Sequence, residues 1–309
     1  MKNSMNELES LIQNYYNEKL KIEKKSDLQL YQYTDITSLH GIVKNDELWA
    51  THFRYLNDRK ELDYGLEIAV KYAKDDKKNH SDVNTLNVLD EISKIYEFAQ
   101  SKEELPLNST DVYSISFSTK KDLLSQWRGY GKKYRSICIG MDSSKLIEAM
   151  DASDWFVFLR KVVYDPDIQE TLIKEYMENV CKIIESNSSD FDGDDKYMDL
   201  FKYRVKTGLI LFALCFKEKC WDEENEWRIM AVYYSEEAKN PQEIFFKENN
   251  YGLVPYIKLP CTFDAIKEVV IPKTDNFVHS KKALELFFNQ KNKDHSVQIE
   301  QSKISIVYQ

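Results

Sequence analysis

The chain has 309 residues, 42% of them apolar and 13% aromatic, enough to bury a substantial core in one large domain or two modest ones. A formal net charge of −9 argues against a broadly nucleic-acid-binding surface and leaves room only for a local basic patch. The five cysteines include no Cys-x-x-Cys and no secretory signal opens the chain, so free thiols and a cytoplasmic location are expected.

The first element expected is an amphipathic helix over 5–25, with Leu8, Leu11, Ile12, Tyr15, Tyr16 and Leu20 at helical spacing. Residues 1–27 are read as a separate N-terminal helix, a lid or an interaction element through which a partner or a second copy binds. Residues 28–309 are read as a single α+β domain. Its core is a mixed or antiparallel sheet of short strands, with helical insertions at about 60–104 and 167–219.

Strands are expected at 30–34, 48–51, 113–118, 136–141 and 160–164. Helices fall at 35–45, across 60–104 with a polar break at 74–82, and at 144–150, 167–186 and 196–219. The last third reads as strands near 227–234, 254–259, 266–271 and 297–308, interrupted by a helix at 279–289. The run Ser189–Asp195 has a misplaced glycine for a calcium loop and reads as a disordered surface turn. The longest apolar run, Leu209–Phe216, falls far short of the roughly 20 residues of a membrane span, so no membrane association is expected. His40, His52, His80, His279 and His295 are scattered, and no metal site is expected from their spacing.

Four segments carry residues suited to chemistry. In Trp221-Asp222-Glu223-Glu224-Asn225-Glu226-Trp227, four carboxylates are bracketed by two tryptophans, a residue type that is highly buried on average. Glu224 and Glu226 are two apart, on the same side of an extended chain, and paired carboxylates can divide the roles of acid and base. A salt-bridged strand start, with Arg228 neutralising one acid, is the structural alternative. Ser118 closes a strand, where its hydroxyl either caps the next turn or orients a carboxylate. Tyr31-Gln32-Tyr33-Thr34 alternates rings with polar groups, which fits ordinary strand packing or a ring stacked on a flat ligand. Arg128–Arg135 holds four cations, two glycines and two tyrosines, Tyr130 among them, and suits either a phosphate or a solvated hairpin.

Taken together, several pieces resemble a bacterial family, domain of unknown function 2971. They are Leu30-Tyr31-Gln32-Tyr33, Glu47-Leu48-Trp49, Leu56-Asn57-Asp58 with Glu61, and Ile115-Ser116-Phe117-Ser118. Leu124-Ser125-Gln126-Trp127, Ile137–Asp142 and Glu224-Asn225-Glu226-Trp227-Arg228 complete the set. That family in turn resembles the ADP-ribosyltransferases. Their three motifs correspond in chain order to Tyr31–Thr34, Phe117-Ser118-Thr119 and Glu224-Asn225-Glu226. Where those enzymes carry an Arg or a His in the first motif, this chain has Tyr31, Gln32 and Tyr33.

The resemblance implies an ADP-ribosyltransferase-like fold and a transferase or glycohydrolase that consumes NAD as substrate without a metal, acting as a toxin or antiphage effector. Glu226 would stabilise the ribose cation, Glu224 would take a proton from the attacking group, and Ser118 would orient Glu226. Tyr33 or Trp49 would stack on nicotinamide, within a cofactor-binding set that includes Tyr31 and Thr34. Arg54, Arg59 or the loop with Arg128 and Tyr130 would hold the pyrophosphate, and the acceptor would be a protein or a nucleic acid. The competing expectation is a non-catalytic interaction module of a bacterial defence or stress system, in which Glu226 pairs with a buried arginine and Trp127 and Trp227 pack the core.

Overall fold

A computed structural model describes residues 2–15, 28–56, 59–95, 112–130, 135–151, 153, 155–232, 243–249, 252–274 and 276–304. The chain divides into two compact units. One comprises Met1–Ile22, Phe53–Val112 and Arg160–Asp222; the other comprises Glu23–His52, Tyr113–Leu159 and Glu223–Gln309.

The first unit is helical. Its elements are α1 (Asn3–Asn14), α3 (Arg59–Asp76), α4 (Val83–Ser93), α7 (Pro166–Ser186) and α8 (Asp195–Ala213). Asp165 caps α7 by accepting from the N–H groups of Asp167 and Ile168, and Pro166 stands at its first position, where no backbone donor is needed. Tyr15, Tyr176 and Phe212 meet edge-on or tilted in the core, with centroids 5.2–6.0 Å apart. At Gly65 a Cβ would stand 2.5 Å from the Ala213 Cα, so only glycine lets α3 approach α8 this closely.

Two expectations change here. The N-terminal helix does not form a segment of its own: Met5, Leu8 and Ile12 are buried, and α1 packs on α7 and α8. Its apolar stripe is therefore used up inside the unit. The residues expected to extend it, 16–25, lie outside the described ones. The turn before α8 is also ordered by its acids. Asp190 accepts from the backbone N–H and hydroxyl of Ser4 at 2.9 and 2.7 Å, while Asp194 caps α8 at Tyr197 and pairs with Lys2 at 3.0 Å.

The second unit is built on the sheet. Strands β1 (Gln29–Asp35), β2 (Glu47–His52), β3 (Val112–Ser118), β4 (Ser136–Asp142) and β5 (Phe156–Lys161) precede β6 (Glu226–Val232), β7 (Phe245–Asn249), β8 (Gly252–Pro260), β9 (Ile266–Ile271) and β10 (Gln298–Gln301). Their order is β10-β9-β4-β1-β3-β2-β8-β7, with β6 pairing β3 and β5. The described registers are antiparallel except for β10 on β9. The fold is thus α+β with a mostly antiparallel mixed sheet, as composition and element pattern predict. β5 lies a few residues before its expected place, and β7 was not anticipated.

Helices α2 (Ile36–Asn45), α5 (Leu124–Tyr130), α6 (Ser143–Met150) and α9 (Phe277–Lys291) accompany the sheet. α2 follows β1 without a loop because Asp35 both ends the strand and caps the helix, accepting from the Ser38 N–H at 2.8 Å. Asp46, at φ 54°, closes it in the left-handed conformation.

Candidate functional site

The three segments named by the resemblance come together on neighbouring strands. Tyr31 on β1 stands opposite Ser118 on β3, β6 pairs β3, and the Thr119 N–H donates to the Asn225 carbonyl at 3.2 Å. Their side chains, however, are turned to structural tasks.

Glu226 is 5% exposed and Arg228 3%. Arg228 donates from Nε to Glu226 Oε1 at 2.6 Å and from Nη2 to Oε2 at 3.0 Å, a two-pronged pair that engages both carboxylate oxygens. Both oxygens of Glu226 are thus engaged by a side chain of the same strand. Ser118 does not reach it: its hydroxyl donates to the Glu224 carbonyl at 2.6 Å and accepts from the Lys120 N–H at 3.0 Å. The expected orienting contact is replaced by the turn-capping one. Nor do Glu224 and Glu226 lie on one extended run. Asn225 takes φ 45°, which asparagine tolerates, so Glu224 ends a 3-10 turn while Glu226 begins β6. Of the two bracketing tryptophans, Trp227 is buried and Trp221 is 43% exposed.

The aromatic strand is core. Tyr33 donates to the Lys120 carbonyl at 2.7 Å, accepts from the Leu123 N–H at 2.8 Å, and meets Trp127 edge-on with centroids 5.1 Å apart. Burial pushes its phenol pKa well above the usual value. Tyr31 donates to Glu268 Oε2 at 3.0 Å, and its pKa too is raised, by burial and then by the Glu268 charge. A ring already packed on both its polar and apolar sides is not a stacking platform. Thr34 is half-buried beside Ile137 of β4.

Trp49 is exposed, but one face stacks on Tyr256 at 4.4 Å and its indole N–H donates to Glu47. Arg54 belongs to the helical unit, its guanidinium 5.5 Å from the Phe53 ring centroid. The backbone of Arg59 is helical, and its side chain lies outside the described ones, as does the loop 131–134. Arg128 and Tyr130 are exposed on the last turn of α5.

A cavity of about 750 Å³ opens instead between α2, α9 and the ends of β4 and β9. Leu39, Ile137, Leu284 and Phe287 give it an apolar floor, and the His40 ring stacks on Phe287 at 5.4 Å. Arg135, Lys273 and His40 supply its charge-bearing groups, and among the described residues no carboxylate lines it. Arg135 is fixed at its backbone, where its carbonyl accepts from the Ile36 N–H at 2.9 Å. Among the described residues neither Arg135 nor Lys273 is paired with an acid. Sequence reading reached Arg135 through its basic loop, but His40, Lys273 and Phe287 carried no signal, because each looks like an ordinary helix or loop residue until α2 and α9 meet.

Residues 126–229 match the model of a family described as "Protein of unknown function (DUF2971)". No curated protein and no solved structure matches the chain.

Proposed function

We propose, for a chain that belongs over residues 126–229 to the DUF2971 family, that its sheet unit is a binding module for a small anion with an apolar body. The cavity carries this reading. Its volume, about 750 Å³, falls in the range of about 300–1,000 Å³ usual for small-molecule sites. In a protein of net charge −9, a cavity rimmed by Arg135 and Lys273, with no acid among its described lining residues, is a local inversion of sign. A guanidinium recognises a carboxylate or phosphate through two parallel hydrogen bonds, and the apolar floor desolvates the rest of the ligand.

The test is thermal unfolding of the full chain with a panel of aromatic carboxylates and nucleoside monophosphates. A binder present at about 100 times its Kd stabilises the protein by about 2.7 kcal/mol. Arg135→Ala is expected to weaken that ligand by about 1.5–3 kcal/mol, the worth of a charged hydrogen bond. Ala283→Trp, which fills the cavity, is expected to abolish it. A panel without a single stabilising member, or a ligand indifferent to both substitutions, rejects the reading.

A second reading is favoured by the meeting of β1, β3 and β6 in the order the ADP-ribosyltransferase resemblance implies. In it the chain consumes NAD, and Glu226 exchanges Arg228 for a ribose hydroxyl when substrate enters. The acceptor is a protein, a nucleic acid or water. Purified protein would then release nicotinamide from NAD, and Glu226→Gln would stop the release without unfolding the chain. Intact NAD after prolonged incubation with candidate acceptors ends this reading.

A further inference from the structure

In the helical unit, two pairs of residues four apart in sequence face each other. Asp76 and His80 flank the 3-10 turn Lys77–Asn79, and Cys181 and Glu185 lie one turn apart on α7. His80 Nε2 is 2.9 Å from Asp76 Oδ2, and His80 Nδ1 is 3.2 Å from Glu185 Oε1. One ligand atom from each of Asp76, His80 and Cys181 lies within 4.8 Å of the others.

We propose that Asp76, His80 and Cys181 bind a divalent transition metal of the zinc class, with Glu185 as the positioning residue that accepts the His80 Nδ1–H. The ligand chemistry fits. Zinc takes thiolate, imidazole and carboxylate at about 2.0–2.3 Å in a tetrahedron, which sets ligand atoms roughly 3.2–3.8 Å apart. The present spacings reach that arrangement with side-chain shifts on the order of one ångström.

The surroundings fit as well. A metal-bound histidine ordinarily donates its other ring N–H to a carboxylate, which is the place Glu185 holds. Asn79 donates to the other oxygen of Asp76 at 2.8 Å, and the Tyr72 hydroxyl donates to Asp76 Oδ2 at 3.3 Å. Asp76, Tyr72 and Asn79 also line a cavity of about 640 Å³, which gives the ion an entrance and a water its fourth position.

A histidine held between two carboxylates is by itself a familiar ion pair. The buried thiol is what such a pair does not require. Cys181 is 4% exposed, makes no side-chain hydrogen bond among the described residues, and is within reach of both partners. Without metal its thiol keeps its proton, because burial pushes the pKa up to about 12. Metal binding therefore displaces the Cys181 thiol proton to solvent, and no electron moves. Affinity must rise with pH accordingly.

The experiment is titration of the chelator-treated full chain with Co²⁺, followed by competition with Zn²⁺. One equivalent is expected to bind with a thiolate-to-cobalt charge-transfer band in the near ultraviolet. Cys181→Ser should remove that band, His80→Gln should lower affinity at least about tenfold, and Glu185→Gln should lower it about 10–100-fold while keeping the band. Circular dichroism checks that each variant folds. His80 is only partly buried, so His80→Gln remains informative if Cys181→Ser fails to fold. Absence of a charge-transfer band at millimolar Co²⁺ overturns the proposal, as does parental affinity in His80→Gln.

Discussion

Glu226 and Asp76 are both carboxylates within hydrogen-bond distance of a nitrogen-bearing side chain, yet the two regions offer different chemistry. At Glu226 the partner is a guanidinium two residues along the same strand, both oxygens are engaged, and both side chains are almost wholly buried. At Asp76 the partner is an imidazole on a turn, a second carboxylate and a buried thiol stand close by, and a cavity lies alongside. In the first arrangement both carboxylate oxygens are already engaged. The second has donors in excess and a route for solvent. Density of charge along the sequence therefore marks a place that must be neutralised, and reactivity depends on what remains unmatched once it has been.

The largest effect expected from this comparison is at the closed pair. Arg228→Ala strands a buried carboxylate and should cost about 3–5 kcal/mol, read from the urea-unfolding midpoint. A loss below about 1 kcal/mol, the scale of an exposed pair, would mean that water already reaches Glu226 and would revive its candidacy as a catalytic group.

The smallest effect lies at the exposed end of the series, where Lys121 bridges Glu268 at 2.8 Å and Glu300 at 2.9 Å. The hydrogen bond from Lys121, aided by its charge, holds the Glu300 carboxyl below its usual 4.5. The folded value is thus lower than the unfolded one. The stabilisation is complete above about pH 4.5 and disappears as pH falls through the folded value. Glu300 is partly open to solvent, so Glu300→Gln should cost less than about 1 kcal/mol at pH 7. The difference from the parent should close at the acid end of a pH series of unfolding curves. A gap that persists there would trace the loss to packing and not to charge.

Much of the fold was legible because local rules and tertiary packing agree. The helices expected at 35–45, 144–150 and 167–186 form, and Asp35, Asp142 and Asp165 cap them. The polar stretch expected to interrupt the helix over 60–104 falls where α3 gives way to the turn Lys77–Asn79 and then α4. The strand with Tyr31 and Tyr33 has the expected alternation, and both rings share a face. Alternation states only that two rings point the same way; whether that face meets solvent, a ligand or Trp127 depends on α5, a helix nearly a hundred residues downstream in the chain.

The acid run was misleading for a similar reason. Asp222 and Glu223 are exposed while Glu224 and Glu226 are buried, and the division is made by the left-handed turn at Asn225 and the pairing of β6 on β3. Neither is written in the composition of the segment.

What the amino-acid order fixed unaided was the α+β class, most strand and helix positions, and the pairing option between Glu226 and Arg228, all of which arise from contacts within a few residues. What only the folded chain decided was which polar groups stay unmatched. His40 meets Arg135 and Lys273 around one cavity, and Asp76 meets Cys181 more than a hundred positions later. A side chain's chemistry is set by its neighbours' charge and the water it retains, and for these groups the neighbours are remote in sequence.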